Sequence, residues 1–534
     1  MFERYFEKRA VICFFVIVLL LLSCVMRIAV IINGDYAEVA NRQIGYRITA
    51  SNIRGTIFDY NMIPLTNREY KIMAAVTPTP QAIIKISAAL DGEEKTRVLD
   101  ELKKGNPVIC EVKKEIKCDG IVCTKVYTHN DRENIAAHII GYVNSENRGV
   151  SGIEKAYDDI LYSDKSVDAV FYKTAKGDLL YGIDPHFEND LSVINSGVVT
   201  TLDINIQLIC ERESEGILSG AVVVADSKTN QIKAMVSKPQ FDILNVKDYL
   251  NDENSPLLNR AIECFSVGSA FKPTLAAAAL ENNKGNFKFN CQGKTHIIDR
   301  DFHCHNRKGH GLMDLKSALA QSCNCYFYNF ALEIGAIPIY KTARNLSIEG
   351  SIKIGDSIKT QKGILPSLET ITENAASLAN LSIGQGELFL SPVAMLNIYS
   401  AIAYDGTYNL PSVISGTLSG GEFKDYDKGN KTRAFSEQTA KTLRNYLASV
   451  INEGTGVEAK PETTTAAGKT ATAQTGRYDQ NNIEITNSWF CGFFPLDNPQ
   501  YTVIVMSEGK SLVSTASVFK NIADGITEYQ NSIK

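Results

Sequence analysis

Phe265-Ser266-Val267-Gly268-Ser269-Ala270-Phe271-Lys272-Pro273 sets a serine and a lysine three residues apart, a spacing that puts both on one face of a helix. The run that follows, Thr274 to Glu281, is rich in helix formers. Pro273 fits only a first helical turn, where its missing N–H costs little. A helix is therefore expected to start here, with the Ser269 hydroxyl at its N-terminus and an amine one turn away. A serine hydroxyl is a weak nucleophile until a base takes its proton, and a lysine made neutral by burial can be that base. By itself the pattern is more plainly a surface serine beside a solvated lysine. Two later motifs change that: Ser322-Cys323-Asn324 and Lys469-Thr470-Ala471-Thr472. Alone, the first would be a helix cap or turn and the second an exposed edge strand. In this order, with their flanks, the three are poorly explained by chance.

Working outward, 534 residues are too many for one compact domain, and two or three are expected. With 44% hydrophobic and 22% charged residues the chain can build a sizeable core, which excludes global disorder. A net charge of −5 without a Lys/Arg block sets nucleic-acid binding aside. The 12 cysteines are spread too thinly for a disulfide scaffold. Arg4, Lys8 and Arg9 precede an apolar run from Ala10 to Met26, closed by Arg27 and extended by Ile28 to Ile32. This run is long enough to cross a bilayer, and its positive flank predicts an N-terminus inside with the remainder exported. No small-x-small cleavage site follows, so an uncleaved signal anchor is expected. Leu21-Leu22-Ser23-Cys24 resembles a lipobox only loosely, because apolar residues continue past Cys24.

Downstream, Asp35 to Arg47 reads as a helix leaving the membrane, and Thr56 to Phe58 with Asp59-Tyr60-Asn61 as a strand and turn. His138 to Val143 reads as a strand, and Gly149 and Gly152 as a glycine loop before a helix, supplying conformations closed to other residues. A polar stretch between Gly182 and Ser196 marks a boundary. Beyond it Val198 to Asp203 is strand-like, and Asp203 can cap a helix over Ile204 to Ile217. Gly220 to Asp226 and Gln231 to Ser237 read as a hairpin turning at Lys228-Thr229-Asn230. Helices are expected over Leu315 to Glu333, Pro392 to Tyr404 and Glu437 to Asn452, with Gly384-Gln385-Gly386 breaking the chain before the second. Strands return at Ser488 to Phe494 and Tyr501 to Met506, and a helix over Ser514 to Tyr529 closes the chain. Strands at both ends with helices between predict a mixed α/β domain whose ends meet in one sheet.

With its three motifs placed, the sequence resembles the class B penicillin-binding proteins, which are peptidoglycan D,D-transpeptidases. Arg54-Gly55-Thr56-Ile57-Phe58-Asp59 resembles the family's N-terminal pedestal signature, and Gly149 to Tyr157 its Gly-x-x-Gly-hydrophobic-Glu segment. Ile383-Gly384-Gln385-Gly386 and Trp489-Phe490-Cys491-Gly492-Phe493 also fit. The resemblance runs from the anchor to the last helix. It implies a mixed α/β (α+β) fold, with a transpeptidase domain like that of penicillin-binding proteins and serine β-lactamases. An elongated α+β pedestal and one transmembrane helix would precede that domain. The implied layout is a cytoplasmic tail at 1–9, a signal anchor at 10–32, a pedestal at 33–190 and the transpeptidase domain at 191–534.

By the same resemblance, Ser269 would be the acylated nucleophile, attacking the carbonyl between two D-alanines of a stem peptide and expelling the terminal one. Lys272 would be its base, Ser322 a proton relay to the leaving amine, and Asn324 a hydrogen-bond partner of the substrate amide. Lys469, at the cleft edge, would attract the substrate carboxylate, with the Thr470 and Thr472 hydroxyls sharing in its binding. The oxyanion would sit between the backbone N–H groups of Ser269 and Thr472. The implied partners are stem peptides ending in D-Ala-D-Ala, penicillin and other β-lactams, a membrane glycosyltransferase and the membrane, and not nucleic acid. No cofactor is expected. The implied location is the cell membrane, single-pass, with the catalytic domain outside the cytoplasm.

One position departs from the family pattern, which has Gly where this chain has Ala471. A strand glycine lets a substrate backbone approach closely. A methyl pointing away from the cleft would spare activity and one pointing in would slow acylation; the family-like flanks Gly468, Thr472, Ala473 and Gln474 favour the former. Cys291, Cys304, His310 and Cys323 lie between or within the first two motifs. They could bind structural zinc, form a disulfide in an exported domain or stay as free buried thiols; no metal ligand is assigned. Two other functions compete. A serine β-lactamase or β-lactam sensor would share the motifs, but the long pedestal argues against it. A non-catalytic scaffold of the elongation, division or sporulation machinery would explain Ala471, but the intact Ser269/Lys272 pair argues against that.

Overall fold

The computed structural model describes residues 2–33, 45–130, 134–174, 176–180, 182–189, 191–426 and 429–533. The chain forms two compact units. One holds the residues up to Ile53, Glu69–Thr128 and Asp164–Leu191; the other holds Arg54–Arg68, His129–Ser163 and everything from Ser192. Two segments inside the span 33–190 thus cluster with the second unit.

The first unit opens with a helix, Phe2–Asn33, whose Lys8–Ile31 span is long and apolar enough to cross a membrane. At 1.5 Å per residue that span reaches about 36 Å, more than a hydrocarbon core. Most of the helix expected over Asp35 to Arg47 lies outside the described residues. Its described end, Gly45 to Arg47, instead opens a strand, Gly45–Asn52, paired antiparallel with Ser166–Tyr172. A second sheet centres on Glu69–Val76, between Val108–Val112 and Ile121–Thr128. Helices Pro80–Ala89 and Gly92–Lys103 bury Ala82, Ile86, Val98 and Leu102 in the same core as that sheet. Thr79 caps the first of them by accepting from the Ala82 N–H.

The second unit is built on an antiparallel sheet of β1 (Gly220–Asp226), β2 (Ile232–Lys238), β3 (Ala467–Tyr478), β4 (Glu484–Phe494) and β5 (Tyr501–Glu508). Their spatial order is β2-β1-β5-β4-β3. The ends of the domain meet as expected, with Val223 of β1 opposite Ile504 of β5. The helices that position the site are α1 (Ile204–Glu213), α2 (Lys272–Glu281), α3 (Leu315–Ala320), α4 (Asn324–Ile334), α5 (Pro392–Ala403), α6 (Glu437–Glu453) and α7 (Thr515–Ser532). β1 is apolar along its length because both of its faces are covered. Val222 and Val224 join Ile206, Ile209, Phe519 and Ile522 of α1 and α7, whereas Ala221 and Val223 join the larger core with α2, α4, α5 and α6, the period-two split of a strand between two layers.

Three expected elements come out differently. Leu315 to Glu333 is two helices, α3 and α4, because Ser322 takes a left-handed φ of 53° between them. His138 to Val143 is not a strand; Ala137–Ile140 is a helical turn with Ile139 and Ile140 buried. An apolar run that short reads the same way in either state. α1 is capped by Asp203, which accepts from Asn205 and Ile206, but it ends at Glu213 rather than Ile217. Gly152 does adopt a positive φ of 58°, whereas Gly149 is required by proximity: a Cβ there would stand 2.0 Å from the Glu154 carbonyl oxygen.

Arg54-Gly55-Thr56 and the Gly149–Tyr157 segment meet in one buried ion cluster. The Arg54 guanidinium donates to Glu154 Oε2 at 2.6 Å, Asp158 Oδ1 at 2.8 Å and the Asn147 carbonyl at 2.7 Å. His129 Nε2 lies 2.7 Å from Glu154 Oε1. Burial pushes the Glu154 carboxyl up, but His129 and Arg54 together hold it below the usual carboxylate range. The stability it contributes is present above the unfolded pKa and is lost as pH falls through the lower folded value. Deleting one partner leaves a buried charge uncompensated, so Glu154→Ala is expected to cost about 3–5 kcal/mol in urea unfolding. A cost below about 1 kcal/mol would mean that water or another group replaces the carboxylate.

Candidate active site

Gly268–Phe271 is a 3-10 turn that leads into α2, with Pro273 in the first helical turn. Ser269 thus lies just before the helix, half-exposed, while Ala270 and Phe271 are buried. Three elements hold the turn. The Gly268 N–H donates to the Gly384 carbonyl at 2.9 Å, and a Cβ on Gly384, whose φ is 72°, would stand 1.9 Å from the Gly268 oxygen. Trp489 Nε1 of β4 donates to the Ser266 carbonyl at 3.0 Å, and the Tyr399 hydroxyl of α5 to the Ala270 carbonyl at 2.9 Å. Tyr399 escaped sequence reading because it sits in an otherwise apolar helix. Its only signal is general: a buried tyrosine hydroxyl needs a partner.

Lys272 is fully buried. Its Nζ donates to Asn324 Oδ1 at 2.7 Å and to the Ser322 carbonyl at 2.8 Å, and lies 3.2 Å from Ser322 Oγ. The structure thus joins the first two motifs through the lysine, and the break between α3 and α4 at Ser322 makes the join possible. Burial pushes the amine down to about 7. A neutral amine has two N–H groups and one lone pair. The two carbonyl oxygens take the N–H groups, and the lone pair is left for a hydroxyl proton.

Lys469 sits on β3, the edge strand, but its side chain is fully buried rather than standing free. Its Nζ donates to the Thr470 carbonyl at 2.9 Å. Burial and the Lys272 charge push this amine well below the usual lysine range. Thr470 Oγ1 lies 2.7 Å from Thr455 Oγ1, a neighbour without a sequence signal, and Thr472 is exposed. Ala471 is 6% exposed, opposite Trp489, in one core with Val267 and Ala270. Its methyl is enclosed rather than standing in the open cleft. The four residues Cys291, Cys304, His310 and Cys323, whose convergence sequence left open, do come together. The described cysteines form no disulfide.

A half-exposed serine at a held turn, beside a buried lysine of lowered basicity, is the equipment of a serine acyl-transferase. Residues 220–526 match the family model of the penicillin binding protein transpeptidase domain. Stage V sporulation protein D of Bacillus subtilis is 29% identical, over 85% of this chain and 73% of its own length. The peptidoglycan D,D-transpeptidase MrdA of Acinetobacter baumannii is 26% identical, over 77% of this chain and 67% of its own. Penicillin binding protein 3 of Mycobacterium tuberculosis, crystallised with aztreonam, shares the fold with a TM-score of 0.66 at 22% identity, over 91% of this chain and 97% of that one. The chain belongs to the penicillin-binding protein transpeptidase family, among its class B members.

Because the Ala471 methyl is enclosed, Ala471→Gly is expected to change the rate of penicillin acylation by less than about threefold and to cost about 0.5–1 kcal/mol through added backbone freedom. An acylation gain of about tenfold or more, equivalent to about 1.4 kcal/mol of barrier, would mean that the methyl obstructs the substrate.

Proposed function

We propose that this protein is a membrane-anchored peptidoglycan D,D-transpeptidase that cross-links stem peptides through an acyl-enzyme on Ser269. The β-lactams acylate the same serine. The observation that carries this reading is the buried Lys272 amine, hydrogen-bonded to Ser322 and Asn324 and near neutrality in its basicity. Lys272 takes the Ser269 proton as Oγ attacks the carbonyl of the penultimate D-alanine. The oxyanion rests on the Ser269 and Thr472 backbone N–H groups. Ser322 passes a proton to the departing amine, the terminal D-alanine leaves, and Asn324 holds the substrate amide. An amine of a neighbouring stem peptide then takes the acyl group, forming the cross-link and freeing the serine. Lys469, with Thr470 and Thr472, binds the substrate carboxylate; an arriving anion favours the charged amine, so Lys469 gains its proton when there is something to pair with.

Arg4, Lys8 and Arg9 would hold the N-terminus inside, the helix would cross once, and the catalytic unit would work outside the cytoplasm. Residues 33–190 would form the pedestal and 191–534 the transpeptidase domain. A membrane glycosyltransferase would supply the glycan strands to be joined. The test is incubation of the full chain in detergent with a fluorescent penicillin, then with a D-Ala-D-Ala stem peptide and an acceptor amine. Persistent saturable labelling and acceptor-dependent release of D-alanine are expected. Rapid hydrolytic loss of the label would indicate a lactamase, and no labelling of folded protein would indicate a scaffold.

A further inference from the structure

We infer, resting on the transpeptidase reading, that Glu263, in a cavity beyond the catalytic turn, binds the side-chain ammonium of the donor stem peptide and so selects the donor. The acyl group is captured by an amine of a neighbouring stem peptide. Donor and acceptor are copies of one polymer, so the donor carries the same amine, upstream of its two terminal D-alanines. In that reading the substrate carboxylate lies at Thr470 and Thr472 and the oxyanion at the Thr472 N–H. The rest of the donor therefore leads away past Gln474 toward Arg477. β3 is the edge strand of its sheet, and an extended peptide can lie along such an edge. Gln474 stands about 7 Å beyond Thr472 along the strand.

A cavity of about 1160 Å³ opens where that path ends. It lies on the face of the sheet that carries the catalytic turn. Asn487 Nδ2 and Trp489 Nε1 of β4 donate to Ser266, at 3.1 Å to Oγ and 3.0 Å to the carbonyl. Ile485, two residues before Asn487 and so on the same face, lines the cavity together with Arg477, its partner on β3. Gly268 packs on β3 just short of this point: a Cβ there would stand 3.1 Å from that of Ala473. Glu263, Cys264 and Phe265 also line the cavity, and the chain runs from them straight into Ser266 and the turn. The cavity and the nucleophile thus share one segment.

Five carboxylates and three cationic side chains line the cavity, an excess of negative charge that favours a cation. Three of the carboxylates are occupied. Glu508 accepts from Arg477 at 2.6 Å and from Arg260 at 3.3 Å. Glu484 accepts from the Gln474 side chain at 2.7 Å, and Asp479 from the Asn481 and Ile483 N–H groups at 2.9 and 2.8 Å. Glu253 is exposed. Glu263 is partly buried, yet among the described residues its carboxylate makes no hydrogen bond or ion pair. Arg260, the cation that acts on it, directs its guanidinium to Glu508 and to the Ser255 and Asn254 carbonyls. Burial accordingly pushes the Glu263 carboxyl up. An arriving ammonium would offset that burial by favouring the charged form.

The test compares D-alanine release by the full chain in detergent from two synthetic donors. One is Nα-acetyl-L-lysyl-D-alanyl-D-alanine; the other has norleucine for lysine, keeping the apolar stem without the ammonium. A hydrogen bond between charged groups predicts a lysine preference in kcat/KM of about 10- to 100-fold. Glu263→Gln is expected to bring the preference below about threefold, and Glu263→Lys to turn it toward a donor with glutamate at that position. Labelling by a fluorescent penicillin reports in each variant that the serine machinery is assembled. Equal use of the lysyl and norleucyl donors by the wild type would overturn the site. A lysine preference that survives Glu263→Gln, with only the transfer to an acceptor amine slowed, would place the ammonium on the acceptor and overturn the donor assignment. Release from neither donor, in a chain that penicillin does not label either, would overturn the transpeptidase reading and the site with it.

Discussion

Ser269→Ala is expected to abolish labelling by a fluorescent penicillin while leaving the fold intact. Removing the nucleophile of a serine acyl-transfer enzyme costs on the order of 10⁶ in rate, which puts labelling below detection. The fold should tolerate the change because the turn is held through other groups: Gly268 on Gly384, Trp489 on the Ser266 carbonyl and Tyr399 on the Ala270 carbonyl. None of these uses the Ser269 side chain, so its unfolding free energy should move by less than about 1 kcal/mol. The contrast between the two readouts matters, since a variant that lost labelling by unfolding would prove nothing. Undiminished stoichiometric labelling of Ser269→Ala would place the acylated group elsewhere and remove the basis of the transpeptidase mechanism.

The sheet and most of its helices were legible because their signals are local. Gly220–Asp226, Tyr501–Glu508 and the long helix α6 each carry a full apolar pattern, and Asp203 and Ser514 cap their helices as short-range chemistry predicts. What was not legible depends on pairings distant in sequence or on a single dihedral angle. Nothing in Leu315 to Glu333 announces that Ser322 takes a positive φ; the apolar pattern runs through the break, and Lys272 explains it only once the two motifs face each other. Lys469 reads as an exposed edge residue because burial of an amine comes from elements packing over β3, which no strand pattern records. The convergence of Cys291, Cys304, His310 and Cys323 rests on the register of two short hairpins, and spacing alone holds no information about that register. Arg54 and Glu154 were each part of a visible motif, but their union in one ion cluster appears only in the folded unit.

Lys272→Met is expected to separate activity from stability in opposite directions. Loss of a general base of matched basicity costs about 10²–10⁴ in rate. In the wild type the rate of penicillin acylation should rise with pH through about 7, the value to which burial pushes Lys272. Below it the amine is charged and has no lone pair; above it the amine is neutral and competent. The variant should lack this limb. Stability responds to the same burial with the other sign. The unfolded chain binds a proton on Lys272 up to its ordinary pKa near 10.5 that the folded chain releases near 7, so wild-type stability at this residue rises with pH across that window. At pH 7 the amine's lost affinity for its proton amounts to roughly 5 kcal/mol against folding, and methionine, of similar volume and uncharged, escapes it. The variant instead leaves Asn324 Oδ1 and the Ser322 carbonyl without their donor, at about 1–3 kcal/mol each. The two costs are comparable, so Lys272→Met should fold with near wild-type or higher stability at pH 7 and lose that relative advantage as the pH is raised toward 10. A slow, pH-insensitive variant that is no less stable would identify Lys272 as a base kept in the core for chemistry and at the expense of stability. If acylation in Lys272→Met stays within about tenfold of wild type, or if the wild-type limb near 7 persists in it, the proton goes to another group. Ser322, already 3.2 Å from the amine, would then be the first residue to replace.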